Sequence, residues 1–452
     1  MKNKKNRDIK NSFRLARHVV RELHNRGASS IIVEIADDSK KQLKFVNNHI
    51  ISVTDWDIET MSIFMDYKKR VAALQIQQLD EKSIRHAIEV LLRNAKNSVA
   101  NKEFMGISKG PFRYRQINQT YDKKIENIGE KSVDIVEKAI NAALKVGSSR
   151  VSGNLEFHTS KNTLCTSEGA EASDKGTYSY FTMRAFTDKD ASGHKTACAR
   201  MLSKLDYAYA ARKAAEYSVE SRNPGRLDAG RYDVIFDPMA FSVILDNIAG
   251  AASIFSVESG LSFFNTMLGE KVAASSVNIT DDGSMPNGYA SSSYDAEGTP
   301  TQKTKIIENG ILKNYLHNYS TAKRYNAKNT ANAGLVSPEP WNTVLENGKR
   351  KNELLLKSMD KGLYITNLWY TRYQNHATGD FSTIPRDGIF FVENGKIKRA
   401  VKDIRISDNM INIMKNIKEI SSQPEQVIGW ETEKPVVTPT VLIKDLNITK
   451  SI

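Results

Sequence analysis

Apolar positions along the first 220 residues alternate between a helical period and a two-residue period, and the same order of elements is written twice. Phe13, Ala16, Val20 and Leu23 mark one face of a helix over residues 13–25, which ends at Arg26-Gly27. Strand-like runs follow at 30–35, 44–52 and 59–67, and a second helix at 81–98 closes the unit. The order returns with a helix at 132–146 ending on Gly147, strands near 150–159, 162–167 and 178–188, and a helix at 205–219. Gly27-Ala28-Ser29-Ser30 corresponds to Gly147-Ser148-Ser149-Arg150, an offset of about 120 residues. Two copies at so long a period indicate a duplicated module, not a solenoid.

Ser221-Arg222-Asn223-Pro224-Gly225 is a turn-forming cluster, and the texture changes beyond it. A strand at 232–236 runs into Asp237-Pro238, a capping carboxylate followed by proline at the first helical position. The helix so opened carries Phe241, Ile244, Leu245, Ile248, Ala252 and Phe255 on one face. Asn309-Gly310 and Asn394-Gly395 sit between alternating runs and predict hairpins; Asn347-Gly348 is a third turn with weaker flanks. A helix at 409–420 and a last strand at 440–446 complete the pattern. The expectation is an α+β protein: a duplicated helix-strand-helix N-terminal module over 12–100 and 118–222, followed by a curved antiparallel β-rich domain over 226–452.

The apolar run 241–255 is broken by Asp246 and Asn247 and is too short to span a bilayer. The basic N-terminus lacks an apolar segment of signal-peptide type, so a cytoplasmic protein without membrane contact is expected. Cys165 and Cys198 cannot build a disulfide framework. The net charge of +13 raises nucleic acid as a partner. Its distribution argues against one, since residues 1–25 hold eight Lys/Arg against only Asp8 and Glu22. The tail reads as solvated, and nucleic acid is an unlikely partner.

No Walker loop, GxGxxG, GxSxG or HExxH occurs, and the eight histidines are scattered singly. Asp281-Asp282-Gly283 and Asp295-Ala296-Glu297-Gly298-Thr299-Pro300 offer clustered oxygens that suit a hard cation or, equally, build turns. Thr378-Gly379-Asp380-Phe381-Ser382 is a polar segment fit either to line a cleft or to turn the chain.

Read in order, Asp237-Pro238, Gly269-Glu270-Lys271-Val272, the two acidic segments, Glu308-Asn309-Gly310, Thr378 to Ser382 and Thr440-Val441-Leu442-Ile443 resemble the TldD/PmbA (TldE) family over almost the whole chain. TldD members of that family are zinc metallopeptidase subunits with an H-E-x-x-x-H helix and a cysteine in a Gly-rich loop near the C-terminus. Placing that helix on residues 245–251 sets the first His at Asp246, the Glu base at Asn247 and the second His at Ala251. Residues 424–430 stand where the cysteine loop belongs, and no cysteine follows Cys198. The pattern is similar to the PmbA/TldE branch, which lacks the zinc motif. The resemblance implies a non-catalytic subunit with no metal or catalytic residue of its own. Zinc is expected in a TldD-like partner, unfolded or flexible peptides as substrates, and Thr378, Gly379, Asp380 and Ser382 as peptide-cleft candidates. A homodimeric peptide-binding protein, or a nucleic-acid-associated factor, is the alternative.

Overall fold

The computed structural model describes residues 8–450. Helix α1 (Ile9–Asn25) is followed by three antiparallel strands, β1 (Ser29–Val46), β2 (His49–Tyr67) and β3 (Arg70–Ile76), and by α2 (Glu81–Asn97). After a connector containing the short α3 (Lys123–Glu126), the arrangement repeats: α4 (Lys131–Val146), β4 (Arg150–Thr166), β5 (Glu171–Phe186), β6 (Ser192–Ala199) and α5 (Tyr207–Glu220). The closing helices start alike. Asp80 accepts from the Ser83 amide, and Asp206 from the Tyr209 amide, so each helix has a side chain on one of its orphan donors. Gly147, at φ 116, ends α4 in the left-handed conformation that glycine enters without penalty.

The two repeats share one sheet, in the order β3-β2-β1-β4-β5-β6. Each retains its own core, one around Val19, Val33, Ile63 and Leu91, the other around Phe45, Val136, Leu155 and Phe181.

The expected strands divide differently in each copy: one is split in the first, and two merge in the second. Residues 44–52 are not one strand but the tip of a hairpin, turning at Asn47 and Asn48, both with positive φ. Residues 150–159 and 162–167 lie in the single strand β4. The polar stretch from Asp37 to Gln42 hides the continuity. It remains extended because β1 pairs on both sides, with β2 and with β4, along that stretch. Backbone pairing here overrides side-chain polarity. The seven-residue β3 and eight-residue β6 were not expected.

Beyond β7 (Gly225–Arg226), strand β8 (Gly230–Phe236) enters a ten-stranded sheet and leads into α6 (Pro238–Ala251). A second, six-stranded sheet runs from Ile311–Leu312 at one edge to Glu425–Gly429 at the other. One large core joins them, with Phe236, Ile244, Ile248, Ile306 and Ile443 fully buried. The Asn-Gly hairpins form as expected: Asn309 and Gly310 have φ 52 and 78, Asn394 and Gly395 φ 51 and 68.

Three expectations fail in this half. The helix of residues 241–255 stops at Ala251, because Ser253 bridges to Leu316 and its hydroxyl donates to the Pro338 carbonyl at 2.7 Å. Phe255 is thereby exposed instead of joining the core. The helix of 409–420 is only Met410–Lys415, and Ile417–Ile420 is a strand paired with the last strand, Val441–Lys450. Asn347-Gly348 makes no hairpin; the Gly348 amide donates to the Ser421 carbonyl, from a distant part of the chain.

Among the described residues no helix is long and apolar enough to cross a membrane. Residues 1–7 of the basic tail, and the last two residues of the 226–452 expectation, lie outside the described residues.

Candidate functional site

Helix α6 is fixed at its start by a buried cluster of charge. Asp237 caps it, accepting from the Met239 amide at 3.1 Å, and the same carboxylate receives the Lys195 ammonium at 2.7 Å from β6. Lys195 also meets Glu425 at 2.8 Å, while the Tyr217 and Tyr364 hydroxyls donate to Asp237 at 2.8 and 3.1 Å. The lysine side chain is 1% exposed. Burial alone would depress its ammonium, but Asp237 and Glu425 hold it above the usual lysine range. The second repeat thus grips the start of α6.

The far end of α6 opens on a cavity of about 790 Å³. Asp246, Asn247, Gly250 and Ala251 form one wall. Thr371, Arg372, Tyr373 and His376 come from the edge strand Leu368–Asn375 and its turn, and Trp430, Glu431, Glu433 and Lys434 from the 425–438 hairpin. The two segments that sequence comparison singled out, 245–251 and 424–430, therefore meet in space. The second is not a Gly-rich loop: Glu425–Gly429 is a strand, and Trp430 stands 78% exposed at its turn.

The polar groups in this wall are largely engaged. Asp246 accepts from the Glu433 amide at 2.9 Å, and burial still pushes its carboxyl up to about 7. The Asn247 amide donates to the Val243 carbonyl at 2.8 Å, back along its own helix. Glu431 accepts from the Thr371 amide at 3.0 Å and faces Arg372 at 3.5 Å.

Catalytic zinc requires about three nitrogen, sulfur or carboxylate ligands with an open fourth position. Ala251 has no donor, and the Asn247 amide is committed to the helix. Among the described residues no three His, Cys, Asp or Glu side chains are placed to hold a metal. The residues present do not fit such an ion.

Of the cleft candidates, Thr378 and Gly379 form the turn after Leu368–Asn375, and Asp380 opens the strand Asp380–Pro385. Asp380 accepts from the Thr378 hydroxyl at 2.5 Å and from the Asn409 amide at 2.9 Å, which keep its carboxyl below the usual range. Ser382 is buried and accepts from Arg405 at 2.9 Å. None of the four is among the residues lining the cavity. Gly379 packs against Phe263, which does line it, so the turn sits one layer behind the wall. We expect Asp380→Ala to cost about 1 kcal/mol or less, since both bonds are at the surface, and to leave peptide affinity unchanged. A calorimetric titration beside a melting curve checks both halves; lost affinity at unchanged stability would support Asp380 as a cleft residue.

The acidic segments bind the chain to itself. Asp281 accepts from Asn332 at 2.6 Å and from the Trp341 amide at 2.7 Å. Asp295 accepts from the Glu297, Thr299 and Ala333 amides. Glu297 accepts from the amide and hydroxyl of Ser108, tying the connector between the repeats to the C-terminal half.

Two family models match this chain, the PmbA/TldA metallopeptidase central domain over residues 118–222 and the PmbA/TldA metallopeptidase C-terminal domain over residues 229–450. The chain belongs to the PmbA/TldD metallopeptidase family. A metalloprotease of Methanocaldococcus jannaschii is 32% identical over 211 residues, 44% of this chain and 46% of that protein. The chain thus spans about half the length of that relative. A metalloprotease PmbA homolog of Haemophilus influenzae is 25% identical over 383 residues, 82% of each chain. In fold, TldE from Thermococcus kodakarensis superposes with a TM-score of 0.86 at 18% identity, covering 96% of this chain and all of that one.

Lys195, and its pairing with Asp237 and Glu425, escaped the sequence reading, which saw Asp237 only as a helix cap. A single lysine in an alternating strand reads as solvated, and only the tertiary approach of Asp237 and Glu425 reveals otherwise.

Proposed function

We propose that this chain is the TldE-like, non-catalytic subunit of a two-component metallopeptidase, holding flexible peptides for a TldD-like partner that carries the zinc. What supports the reading is the state of α6. Its three positions corresponding to the zinc motif hold a carboxylate bonded to the Glu433 amide, an amide bonded to its own helix, and a methyl group. A water nucleophile generated on a metal needs both ligands and a base for its proton.

The cavity suits the holding role. The strand Leu368–Asn375 is an edge of the ten-stranded sheet, and three of its residues line the cavity. An extended peptide can add to such an edge by backbone hydrogen bonds, with little sequence preference. Phe255, Leu261 and Trp430 line the same cavity and are all exposed, offering apolar surface to a peptide or to the partner.

The expected result is that the purified chain carries well under one zinc and cleaves no peptide, whereas co-expression with a TldD-like chain yields a stable pair with zinc and chelator-sensitive cleavage. One tightly held zinc in the isolated chain, with cleavage, would falsify the reading. Elemental analysis of each purified species, alongside a peptide assay, decides it.

A further inference from the structure

A second cavity, of about 300 Å³, lies between the shared N-terminal sheet and loops of the C-terminal half. Glu34, Asn162, Asp174 and Tyr178 come from β1, β4 and β5. Tyr294, Asn332 and Trp341 close it from the other side. It adjoins the larger cavity, since Glu339, Pro340 and Lys434 line both.

Its unpaired side chains are suited to a cation. Glu34 is partly exposed, and its side chain has no hydrogen bond or ion pair among the described residues. Burial, with Asp38 adding, pushes its carboxyl up to about 7. Two further groups are deeply buried and unpartnered: the Tyr294 hydroxyl, in a residue 4% exposed, and the Asn332 side-chain oxygen, in a residue 1% exposed. Such orphans are rare, because each carries a desolvation cost that a partner would remove.

The cations already present do not meet the need. Arg200 spends its donors on carbonyls, Nε on Thr177 at 2.6 Å, Nη2 on Thr120 at 2.8 Å and Nη1 on Ser291 at 2.9 Å. Lys434 is paired with Glu339. Asp174 is stabilised by the amide and hydroxyl of Ser293 and the hydroxyl of Ser292, with no cation on it. Of the free groups, the Glu34 carboxylate and the Asn332 oxygen accept, and the Tyr294 hydroxyl can accept or donate. The rings of Tyr294 and Trp341 line the space around them, a surface that favours an organic cation, whereas Tyr178 is already covered by Arg200 and His158.

We infer that this chamber receives an alkylammonium group of a peptide lying in the adjoining cavity, with Glu34 as its counter-ion. The inference rests on the peptide-holding reading above. The shared chemistry has two sources, the α-ammonium of a peptide's amino terminus and the ε-ammonium of a lysine side chain. A terminal amine would fix where an otherwise unselective strand pairing begins, and so set the register of the substrate.

Calorimetric titration of the full chain with pentaalanine amide, its N-acetylated form, and N-acetyl-Lys-tetraalanine amide tests the inference. The free-amine peptide should bind, N-acetylation should weaken binding about tenfold or more, and Glu34→Gln should do the same. The two losses should not add, because each removes one partner of a single contact. Recovery of affinity in the lysine peptide assigns the ε-ammonium as an accepted ligand; no recovery restricts the chamber to the amino terminus. Since Glu34 has no partner to lose, Glu34→Gln should melt no lower than the parent chain, which separates lost binding from lost folding. Equal affinity for all three peptides, or losses that add, overturns the chamber but spares the peptide-holding reading; equal affinity for the two pentaalanine peptides with tighter binding of the lysine peptide restricts it to the ε-ammonium. Absence of binding by any of the three peptides overturns both for this chain.

Discussion

Replacing Lys195 with Met should destabilise the protein by about 3–5 kcal/mol, the largest loss expected from any single change of charge in the chain. The reason lies less in the attraction lost than in what is left behind. Asp237 and Glu425 would remain beside each other without the ammonium that both now touch, and Asp237 is itself buried. Two tyrosine hydroxyls and the Met239 amide still solvate Asp237, but Glu425 retains only the Tyr209 hydroxyl. Denaturant midpoints measure the loss. Adding Asp237→Asn and Glu425→Gln to Lys195→Met should recover part of it, because the uncompensated charges are then gone. If Lys195→Met alone shifts stability by less than about 1 kcal/mol, the cluster is solvated in solution and does not anchor α6.

Gly348→Ala should also destabilise by about 3 kcal/mol or more, for a purely steric reason. A methyl group at residue 348 would stand 1.8 Å from the Ile420 carbonyl oxygen and 2.7 Å from its carbon. Both are backbone atoms of a paired strand, so no rotamer change can relieve the contact. The Gly348 amide also donates to the neighbouring Ser421 carbonyl at 2.9 Å, which fixes the two segments at that separation. A Gly348→Ala chain that melts within a degree or two of the parent would show that this packing is loose.

Gly348 illustrates what a sequence conceals. Asn309-Gly310, Asn347-Gly348 and Asn394-Gly395 are written alike, yet only the first and last use the positive φ that makes Asn-Gly a hairpin signal. In the middle pair the glycine serves a close approach between segments about 70 residues apart, and nothing local records that. Elements set by local rules were legible: the helix capped by Asp237 and the glycine stop at Gly147. Family resemblance singled out 245–251 and 424–430, but their meeting in space was not read from the sequence. Elements set by distant partners were not legible, as with the polar stretch of β1 held between β2 and β4, or Ile417–Ile420 drawn out of a helical pattern by the last strand. The ammonium chamber was invisible for the same cause, since its acceptors come from β1, β5 and residues 294 and 332.

The pairing of β1 with β4 holds one more implication. Residues facing each other there have numbers that sum to a constant: Ile32 with Thr166, Ser39 with Thr159, Phe45 with Gly153. At the repeat offset of about 120 residues, Ser39 therefore faces its own counterpart, and every other pair is matched by its mirror. That is the signature of an isologous contact about a two-fold axis, the geometry of a symmetric dimer. The N-terminal half is arranged as such a dimer, two α+β units in a single chain. Because the connector of residues 98–130 joins the two units covalently, their association does not depend on concentration. The two units are nonetheless used differently: Lys195 and its grip on α6 belong to the second, and Glu34 to the first.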